Sequence, residues 1–565
     1  MDIIEVLGKT RFIMNVDVNS RVHASLFNWN RDGKWDVFIY WVKDNLIEKV
    51  TSGLDSFLYP TISPRGDLIA YCKDRAGDEN FQVVVRDLSS AKEEDVTRNP
   101  KYYHTNPRFS PNSDLLAFTS NRGGKPSQIH VYDGGEIREV TRWSEPIFIY
   151  DWISNSEIVY VKGFYNTEVR IVDINTLNDE LLLHFNNSET LIGDVDVENR
   201  RFLFTSNTYN WLDIGEYELN TRSWRWVYRS SSEKYQPTYL GDSILFIEYL
   251  RGRNILRRLK GQSIEDIDLN VEELSVDKDM IAYIKSSSTT PSMLVVDGKI
   301  VIDTTPRELR GRLVGVHIVS YHSFDGLPIE AVVFKPTEWN RDTVIYIHGG
   351  PDAHIYDTWC SLCQLLALHG YIVIAPNYRG STGYGRRFLH LNDKDLGGGD
   401  LRDIIEAWRL AKNMGSRKVY VLGASYGGYL TALALVKEPE IWDGGVAIVG
   451  FYNWYTEYER EADYLKSYDA IKMNPNLFYD RSPIFHIDKV KSPILLIHGA
   501  NDPRCPVYEV EQLVEKLRVY GKKYKIKIYE DEGHSIRKEV NRIDMYRRIV
   551  SFLNEISSYD ALKNT

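Results

Sequence analysis

A serine framed by glycines is the first feature of the chain that could do chemistry. Residues 423–429 read GASYGGY, directly after the apolar run VYVL and directly before LTALALV. The G-x-S-x-G pattern is typical of a nucleophile elbow, a sharp strand-to-helix turn that exposes the serine hydroxyl. Ser425 is therefore the predicted nucleophile. The backbone N–H of Tyr426 would lie at the start of the helix, where it can stabilise an oxyanion.

A serine hydroxyl needs a base before it can attack a carbonyl carbon. After an elbow, an acidic residue and then a histidine are expected, each on the loop that follows a later strand. The apolar run at 492–500 precedes Asp502, and the run that begins at 525 ends in His534. Asp502 would orient the imidazole of His534, which would take and return the serine proton. These two residues complete a predicted Ser–His–Asp set.

A second oxyanion donor is expected on the loop after an earlier strand. The motif HGGP, residues 348–351, follows the apolar run TVIYI. The N–H of Gly350 is the predicted donor, with Gly349 as the nearby alternative. The sequence shows no cluster of metal-ligating residues at metal spacing in its first half, and neither a metal nor a cofactor is predicted.

The second half of the chain must position these residues. From about residue 304, short continuous apolar runs alternate with helix-like stretches such as GDLRDIIEAWRLAKNMG. Strands buried on both faces that alternate with helices predict a mostly parallel, doubly wound sheet. The working residues of such sheets collect at the carboxyl ends of the strands. We therefore predict an α/β-hydrolase domain over residues 304–560, and a contribution from residues 1–7 is left open.

The first half of the chain repeats. Residues 60–71 read PTISPRGDLIAY and residues 107–118 read PRFSPNSDLLAF, and weaker copies follow up to residue 283. Their apolar strands recur every 37 to 47 residues, and the outlying stretch NRDGKWDVFIY at 30–40 serves as a weak first copy. Hairpins at this period are typical of β-propeller blades. The sequence therefore predicts an all-β, seven-bladed propeller over residues 8–303, ahead of the α/β domain.

Composition limits the partners. The chain has 565 residues and a formal net charge of −10, from 69 Lys and Arg against 79 Asp and Glu. This acidic balance argues against nucleic acid as the partner, because phosphate binding needs a basic surface. No apolar stretch reaches the roughly 18 residues of a membrane span, and the first ten residues lack the pattern of a secretory signal. A cytoplasmic protein without a membrane partner is expected, and the oligomeric state, a homo-oligomer included, is left open.

The four cysteines are too few for a disulfide framework in so long a chain. Cys360 and Cys363 form a CSLC motif without a second pair at zinc spacing. Packing as small apolar residues on a helix is expected rather than metal binding. A single disulfide between them is left open.

The order of these motifs resembles the prolyl oligopeptidase family of serine peptidases along nearly the whole chain. HGGP, PNYRGSTGYG, GASYGGY, NDPRCPV and EGH follow one another as they do in that family. HGGP is similar to the acylaminoacyl-peptidase branch, whereas the dipeptidyl peptidase and prolyl oligopeptidase branches usually carry a tyrosine in place of the histidine. The resemblance thus implies an oxyanion hole of two backbone N–H groups. It also implies that the propeller restricts the substrates to short peptides.

The same resemblance implies residues that bind the substrate. Arg504, two residues after the predicted catalytic aspartate, would bind a substrate carbonyl, for which a guanidinium is suited because it stays charged and donates in a fixed fork. A salt bridge at the domain interface is the alternative for this residue. Phe451, Trp454 and Tyr458, in the stretch that follows the strand after the elbow, would form an apolar pocket for the residue before the cleaved bond. Packing of these aromatic residues in the core is an equal alternative.

The family resemblance predicts a peptidase that releases N-acylated amino acids through an acyl-enzyme on Ser425. An oligopeptidase or dipeptidyl peptidase of the same family, or a carboxylesterase, is the alternative. Two features depart from the family pattern. Only a short, strand-like segment precedes the repeats where acylaminoacyl peptidases often carry a helical extension, and residue 424 is alanine where many relatives have an aromatic residue.

Overall fold

The computed structural model describes residues 2–75 and 77–559, with the side chains of residues 463, 464 and 559 excepted. The chain forms two compact units. One unit consists of residues 11–286 and 292–304; the other consists of the residues up to Thr10, residues 287–291 and the chain from Thr305 onward. Across the described ranges, no helix is long and apolar enough to cross a membrane.

The first unit contains seven four-stranded antiparallel sheets, and each sheet is made of four consecutive strands. The strands of the seven sheets are Ile13–Asn19, Ala24–Trp29, Asp36–Trp41 and Leu46–Lys49 (β1–β4); Ser56–Ile62, Leu68–Asp74, Gln82–Asp87 and Glu93–Asp95 (β5–β8); His104–Phe109, Leu116–Ser120, Gln128–Tyr132 and Ile137–Glu139 (β9–β12); Ile147–Trp152, Glu157–Lys162, Glu168–Asp173 and Asp179–His184 (β13–β16); Thr190–Asp196, Arg201–Ser206, Asp213–Glu218 and Ser223–Tyr228 (β17–β20); Glu233–Leu240, Ser243–Leu250, Arg253–Lys260 and Ser263–Leu269 (β21–β24); and Val271–Asp277, Met280–Ser287, Thr290–Val296 and Lys299–Asp303 (β25–β28). The predicted seven-bladed propeller is confirmed.

The first strand of every blade carries a bulge and lines a central cavity of about 690 Å³. A bulge leaves backbone N–H groups without a partner in their own sheet. Carboxylates of neighbouring blades accept N–H groups close to these bulges: Asp17 from Ile62 N–H at 2.9 Å, and Asp194 from Tyr239 N–H at 3.0 Å. Glu273 of the last blade accepts from Val16 N–H of the first at 3.2 Å. The ring is therefore closed without the exchange of a strand.

Two expectations about the start of the chain were wrong. The weak copy at 30–40 covers the turn between β2 and β3 and most of β3, whereas the other copies are the hairpins between the first two strands of a blade. The equivalent turn of the first blade, residues 20–23, reads SRVH and lacks the Ser-Pro frame. In addition, the segment before the repeats is a helix, Ile3–Gly8 (α1), because Asp2 caps it by accepting the N–H of Ile4 at 3.0 Å.

The second unit has three layers, in which one eight-stranded sheet lies between two layers of helices. Its strands are Val316–His322 (β29), Pro328–Phe334 (β30), Asp342–Ile347 (β31), Ile372–Pro376 (β32), Lys418–Ala424 (β33), Gly444–Ile448 (β34), Ile494–Gly499 (β35) and Tyr524–Tyr529 (β36). Their order is β29-β30-β32-β31-β33-β34-β35-β36, and every pair from β32 to β36 is parallel. The predicted α/β-hydrolase fold is confirmed.

Helices cover both faces of this sheet. The α-helices are Ser361–Leu368 (α2), Arg386–Leu389 (α3), Gly399–Asn413 (α4), Tyr426–Lys437 (α5), Trp454–Arg460 (α6), Asp463–Lys472 (α7), Phe478–Arg481 (α8), Val507–Val519 (α9) and Glu539–Tyr559 (α10), and short 3-10 turns span Arg307–Leu309, His390–Asn392, Pro475–Leu477 and Pro483–Lys489. One core packs α4, α5 and α9 against the sheet, and the other packs α1, α2 and α10. The strands predicted from the apolar runs are buried on both faces of the sheet. This is why their sequences do not alternate between apolar and polar residues.

The CSLC motif does not pack as two independent small residues. Cys360 and Cys363 form a disulfide at the start of α2. Cys360 is the N-terminal cap of that helix and its sulfur accepts the N–H of Cys363 at 3.1 Å. The helical spacing that suggested packing also brings the two sulfur atoms within bonding distance, so the sequence alone did not separate the two outcomes.

Candidate active site

The elbow holds Ser425 in a strained conformation between β33 and α5. Its φ is 58° and its ψ is −125°, a region that costs a non-glycine residue about 1–3 kcal/mol. The Ser425 N–H donates to the carbonyl of Ile448 at 2.9 Å, and its carbonyl accepts from Tyr429 N–H at 3.0 Å. The neighbouring strand and the first helical turn therefore hold the serine in place from both sides.

The glycines of the motif are required by close backbone contacts. A Cβ at Gly427 would lie 2.2 Å from the carbonyl oxygen of Ile347, and a Cβ at Gly423 would lie 2.4 Å from the carbonyl oxygen of Gly427. Neither contact is tolerable, because Cβ atoms do not approach backbone oxygens below about 3 Å. Only glycine at both positions lets β31, β33 and α5 meet under the serine.

The structure brings Asp502 and His534 to Ser425. His534 Nδ1 lies 2.8 Å and 2.9 Å from the two Asp502 carboxylate oxygens, and its Nε2 lies 3.0 Å from Ser425 Oγ. Because the carboxylate only accepts hydrogen bonds, Nδ1 carries the proton and Nε2 is free to accept the serine hydroxyl. This is the arrangement in which a histidine can remove the proton from the serine.

The loop after β35 fixes the carboxylate of Asp502. Asp502 Oδ1 accepts the N–H groups of Arg504 at 2.9 Å and Cys505 at 3.0 Å, and its side chain is fully buried. A second histidine, His498, lies behind it and donates from Nε2 to the Cys505 carbonyl at 2.8 Å. Burial lowers the pKa of His498, whose Nε2 also lies 3.6 Å from Asp502 Oδ2, so this ring packs beside the carboxylate and supports the loop through the Cys505 carbonyl.

The loop that carries His534 is held by a residue that the sequence reasoning missed. Glu532 is 3% exposed, and its carboxylate accepts the N–H groups of Arg537 at 3.0 Å and Lys538 at 2.9 Å. Its carbonyl accepts from Asn501 N–H at 2.9 Å, which ties this loop to that of Asp502. The sequence shows only an acidic residue before Gly-His at the end of a strand. Such a residue is typical of a solvated loop, and the burial of Glu532 is visible only in the structure.

The two predicted oxyanion donors belong to the backbone segments on either side of the serine, the start of α5 and the HGGP loop. Tyr426 is the first residue of α5, so its N–H has no acceptor within the helix. On the other side, Gly349 packs against Ser425: a Cβ there would lie 3.2 Å from Ser425 Cβ and 3.7 Å from Oγ. The loop between β31 and α2 therefore supplies backbone next to the nucleophile. Gly350, the proposed donor, follows Gly349 directly.

His348 orients the peptide that carries the N–H of Gly350. Its Nδ1 donates to the carbonyl of Gly349 at 2.7 Å, its Nε2 lies 3.0 Å from Ser381 Oγ, and its ring stacks on Tyr378 with centroids 4.2 Å apart. Burial lowers the pKa of His348 to about 4, so the ring is neutral. In a trans peptide the N–H points opposite to the C=O. Fixing the Gly349 carbonyl therefore also fixes the direction of the Gly350 N–H.

The predicted substrate-binding residues divide into two groups. Phe451 and Trp454 are buried, at 5% and 3% exposure, and pack edge to face with centroids 4.5 Å apart. Phe451 also stacks on Tyr429 at 4.6 Å, and the cavity beside Trp454 has room for about one water molecule. The structure thus places both aromatic residues in the core, while Tyr458 and Arg504 are exposed.

A comparison with known proteins matches part of the α/β unit to a family. Residues 360–559 match the sequence model of the prolyl oligopeptidase family, a stretch that includes Ser425, Asp502 and His534. Over these residues the α/β unit has the sequence pattern of that family. The match supports a serine hydrolase, as the order of the motifs predicted.

Individual relatives agree with this assignment. The chain is similar to dipeptidyl peptidase family member 6 of Caenorhabditis elegans, with 34% identity over 38% of this chain and 30% of the relative. It is also similar to acylamino-acid-releasing enzyme 1 of Oryza sativa subsp. japonica, with 25% identity over 52% of this chain and 44% of the relative. The matched regions thus span less than half of either curated relative.

A solved structure shows the same fold over nearly the whole length. A puromycin-hydrolyzing peptidase of Mycobacterium tuberculosis superimposes with a TM-score of 0.85 at 18% identity, over 97% of this chain and 94% of that one. At this identity the likeness speaks for the fold alone. The family assignment therefore rests on the sequence match of the α/β unit.

Proposed function

We propose that this oligopeptidase-family protein releases N-acylated amino acids from short peptides through an acyl-enzyme on Ser425. The observation that carries the hydrolytic part is the relay from Asp502 through His534 to Ser425, with both hydrogen bonds at 3.0 Å or less. The acylaminoacyl part is supported by the histidine in HGGP and by the likeness to the rice acylamino-acid-releasing enzyme.

The proposed reaction proceeds in two halves. Ser425 Oγ attacks the carbonyl carbon of the scissile bond while His534 Nε2 takes its proton, and the Tyr426 and Gly350 N–H groups stabilise the oxyanion. The oxyanion collapses, the C–N bond breaks, and His534 returns the proton to the leaving amine. Water then attacks the acyl-enzyme with His534 again as base, which releases the N-acylated amino acid and restores the serine.

A dipeptidyl peptidase is the second candidate, because the C. elegans relative with 34% identity carries that name. The two functions differ in the amino terminus of the substrate: an acylated one is neutral, whereas a free one is charged. A panel of matched p-nitroanilides separates them. We expect kcat/KM on an N-acetyl-aminoacyl anilide to exceed that on a free-amine dipeptidyl anilide and on a blocked Gly-Pro anilide.

The result that would reject the acylaminoacyl proposal is a preference for the free amine at a pH where it is protonated. A p-nitrophenyl ester serves as the common reference, because activated esters need the nucleophile but few substrate contacts. Hydrolysis of the ester alone, with none of the anilides, would favour a carboxylesterase.

Arg504 is proposed to bind a carbonyl of peptide substrates. Replacing it with alanine should raise KM for peptides about tenfold and leave ester hydrolysis unchanged, because a charge-assisted hydrogen bond to the peptide is lost. The control is Arg518→Ala, which removes an exposed arginine of α9. Equal losses on peptide and ester in Arg504→Ala would show that the residue supports the Asp502 loop and does not contact the substrate.

A further inference from the structure

The side chain of Tyr426 is fixed at its far end by a group outside the catalytic set. Tyr426 is 3% exposed, and its hydroxyl donates to Asp400 Oδ2 at 2.5 Å. The same hydroxyl accepts the N–H of Gly397 at 3.1 Å. Gly397 and Asp400 lie at the start of α4, which is distant in sequence from the elbow. The residue that supplies the proposed oxyanion donor is therefore anchored to a second helix.

Asp400 is an unusual anchor, because it is buried without a cation. It is 0% exposed, and its other contacts are the N–H groups of Gly397 at 3.2 Å and Leu401 at 2.7 Å. Within the described ranges, no lysine, arginine or histidine pairs with its carboxylate. Burying an unpaired carboxylate is costly, and burial raises the pKa of Asp400 to about 6. A neutral acceptor could hold the Tyr426 hydroxyl without the free-energy cost of burying a charge. The presence of a carboxylate therefore indicates that the negative charge of Asp400 has a role.

The strained backbone of the elbow gives a reason for a charged anchor. Ser425 has a φ of 58°, and rotation of the Ser425–Tyr426 peptide would relieve it while turning the Tyr426 N–H away from the oxyanion. The helical bond from Tyr429 N–H to the Ser425 carbonyl, at 3.0 Å, restrains this peptide on one side. On the other side of this peptide, the Tyr426 phenol is held by the Asp400 carboxylate and restrains the Cα of Tyr426. A charge-assisted bond is stronger than a neutral one and therefore a stiffer anchor.

We propose that Asp400 is a positioning residue that holds Tyr426 by its hydroxyl and so keeps the Tyr426 N–H directed at the oxyanion. This inference rests on the proposed function, because it assigns a support to the oxyanion donor of that reaction. Asp400 touches neither the substrate nor the reacting atoms. It acts through Tyr426 on the transition state and not on substrate binding.

The test compares Asp400→Asn, Tyr426→Phe and the double variant with the wild type on the ester and on the preferred anilide. Each single variant should lower kcat about tenfold with little change in KM, because the support acts on charge that develops only in the transition state. The double variant should be no slower than either single variant, since both remove the same contact. A peptide aldehyde that mimics the tetrahedral intermediate should lose affinity by the same factor as kcat/KM.

A pH profile separates positioning from a merely structural role. Asp400 is ionised above its pKa of about 6 and protonated below it, so the wild-type advantage over Asp400→Asn should be full near pH 8 and fade towards pH 5. The groups that face it are the hydroxyls of Tyr378 and Tyr429, whose pKa values burial raises, and Asp403 on the same helix, which is paired with Arg379 at 2.8 Å. The tyrosines stay protonated over this range, and both variants retain the Asp403 pair.

The matched control is Asp342→Asn, which removes a fully buried carboxylate at the amino end of β31, paired with Arg417. It should lower the melting temperature and leave kcat unchanged. The proposal is overturned if Asp400→Asn and Tyr426→Phe keep the wild-type kcat, or if their loss is constant from pH 5 to pH 8. Should Asp400→Asn not fold, Tyr426→Phe tests the same contact. A wild type without any hydrolase activity would instead overturn the proposed function itself.

Discussion

Replacement of Ser425 by alanine should lower kcat on esters and peptides by about 10⁵- to 10⁶-fold. The Ser425 hydroxyl is the nucleophile that the proposed relay activates, because its Oγ lies 3.0 Å from His534 Nε2 at the elbow. Without it, no acyl-enzyme forms, and the remaining rate comes from water in a preorganised site. Stopped-flow assays with a p-nitrophenyl ester measure both the burst and the steady rate: the burst should vanish, and the steady rate should fall by this factor.

A serine distant from the site provides the control. Ser416 is buried at the amino-terminal edge of the sheet, where its hydroxyl lies 2.7 Å from that of Thr343. Ser416→Ala should alter stability only slightly and leave kcat as in the wild type. If Ser425→Ala kept more than about 1% of the wild-type kcat, Ser425 could not be the nucleophile, because an oxyanion hole alone supplies far less.

Replacement of Asp502 by asparagine should lower kcat about ten-thousand-fold while the protein remains folded. Asp502 accepts the Nδ1 proton of His534 at 2.8 Å, and this bond selects the tautomer whose Nε2 can act as a base. An asparagine can present its NH₂ group to Nδ1, which favours the opposite tautomer. It also cannot stabilise the imidazolium that forms when the serine proton is transferred.

The loss in Asp502→Asn should be independent of how reactive the substrate is. Because the imidazolium forms with every substrate, the ester and the anilide should lose kcat by similar factors, measured at saturating substrate above pH 7. The Asp342→Asn variant again serves as the control for a lost buried carboxylate. A loss below tenfold in Asp502→Asn would mean that another acid, and not Asp502, orients the histidine.

The order of the proposed catalytic residues could be predicted because each follows a buried strand. A parallel sheet leaves few places for polar residues, and a serine, an aspartate and a histidine at three strand ends have little freedom to lie elsewhere. The propeller could be predicted equally well, because its turns and strands recur at a nearly constant interval along the sequence. These signals are local, and short stretches of sequence contain them in full.

The residues that hold the site in place could not be predicted from the sequence in this way. Asp400 and Tyr426 are 26 residues apart, and nothing in either segment indicates that the phenol donates to the carboxylate. Glu532 looks like one of several acidic residues in a polar loop until its burial is known. Such contacts depend on how helices and loops pack across the sheet. The sequence predicted the reacting groups, and the structure was needed for the groups that hold them.

Reaction with a fluorophosphonate probe, followed by peptide mapping of the adduct, tests the relay most directly. The probe reacts only with a serine whose proton a neighbouring base can remove, so it reports on Ser425, His534 and Asp502 together. We predict one adduct per chain, on Ser425, with labelling lost in Ser425→Ala and strongly slowed in Asp502→Asn. A wild-type protein that stays unlabelled, or that carries the adduct on another serine, would contradict the account.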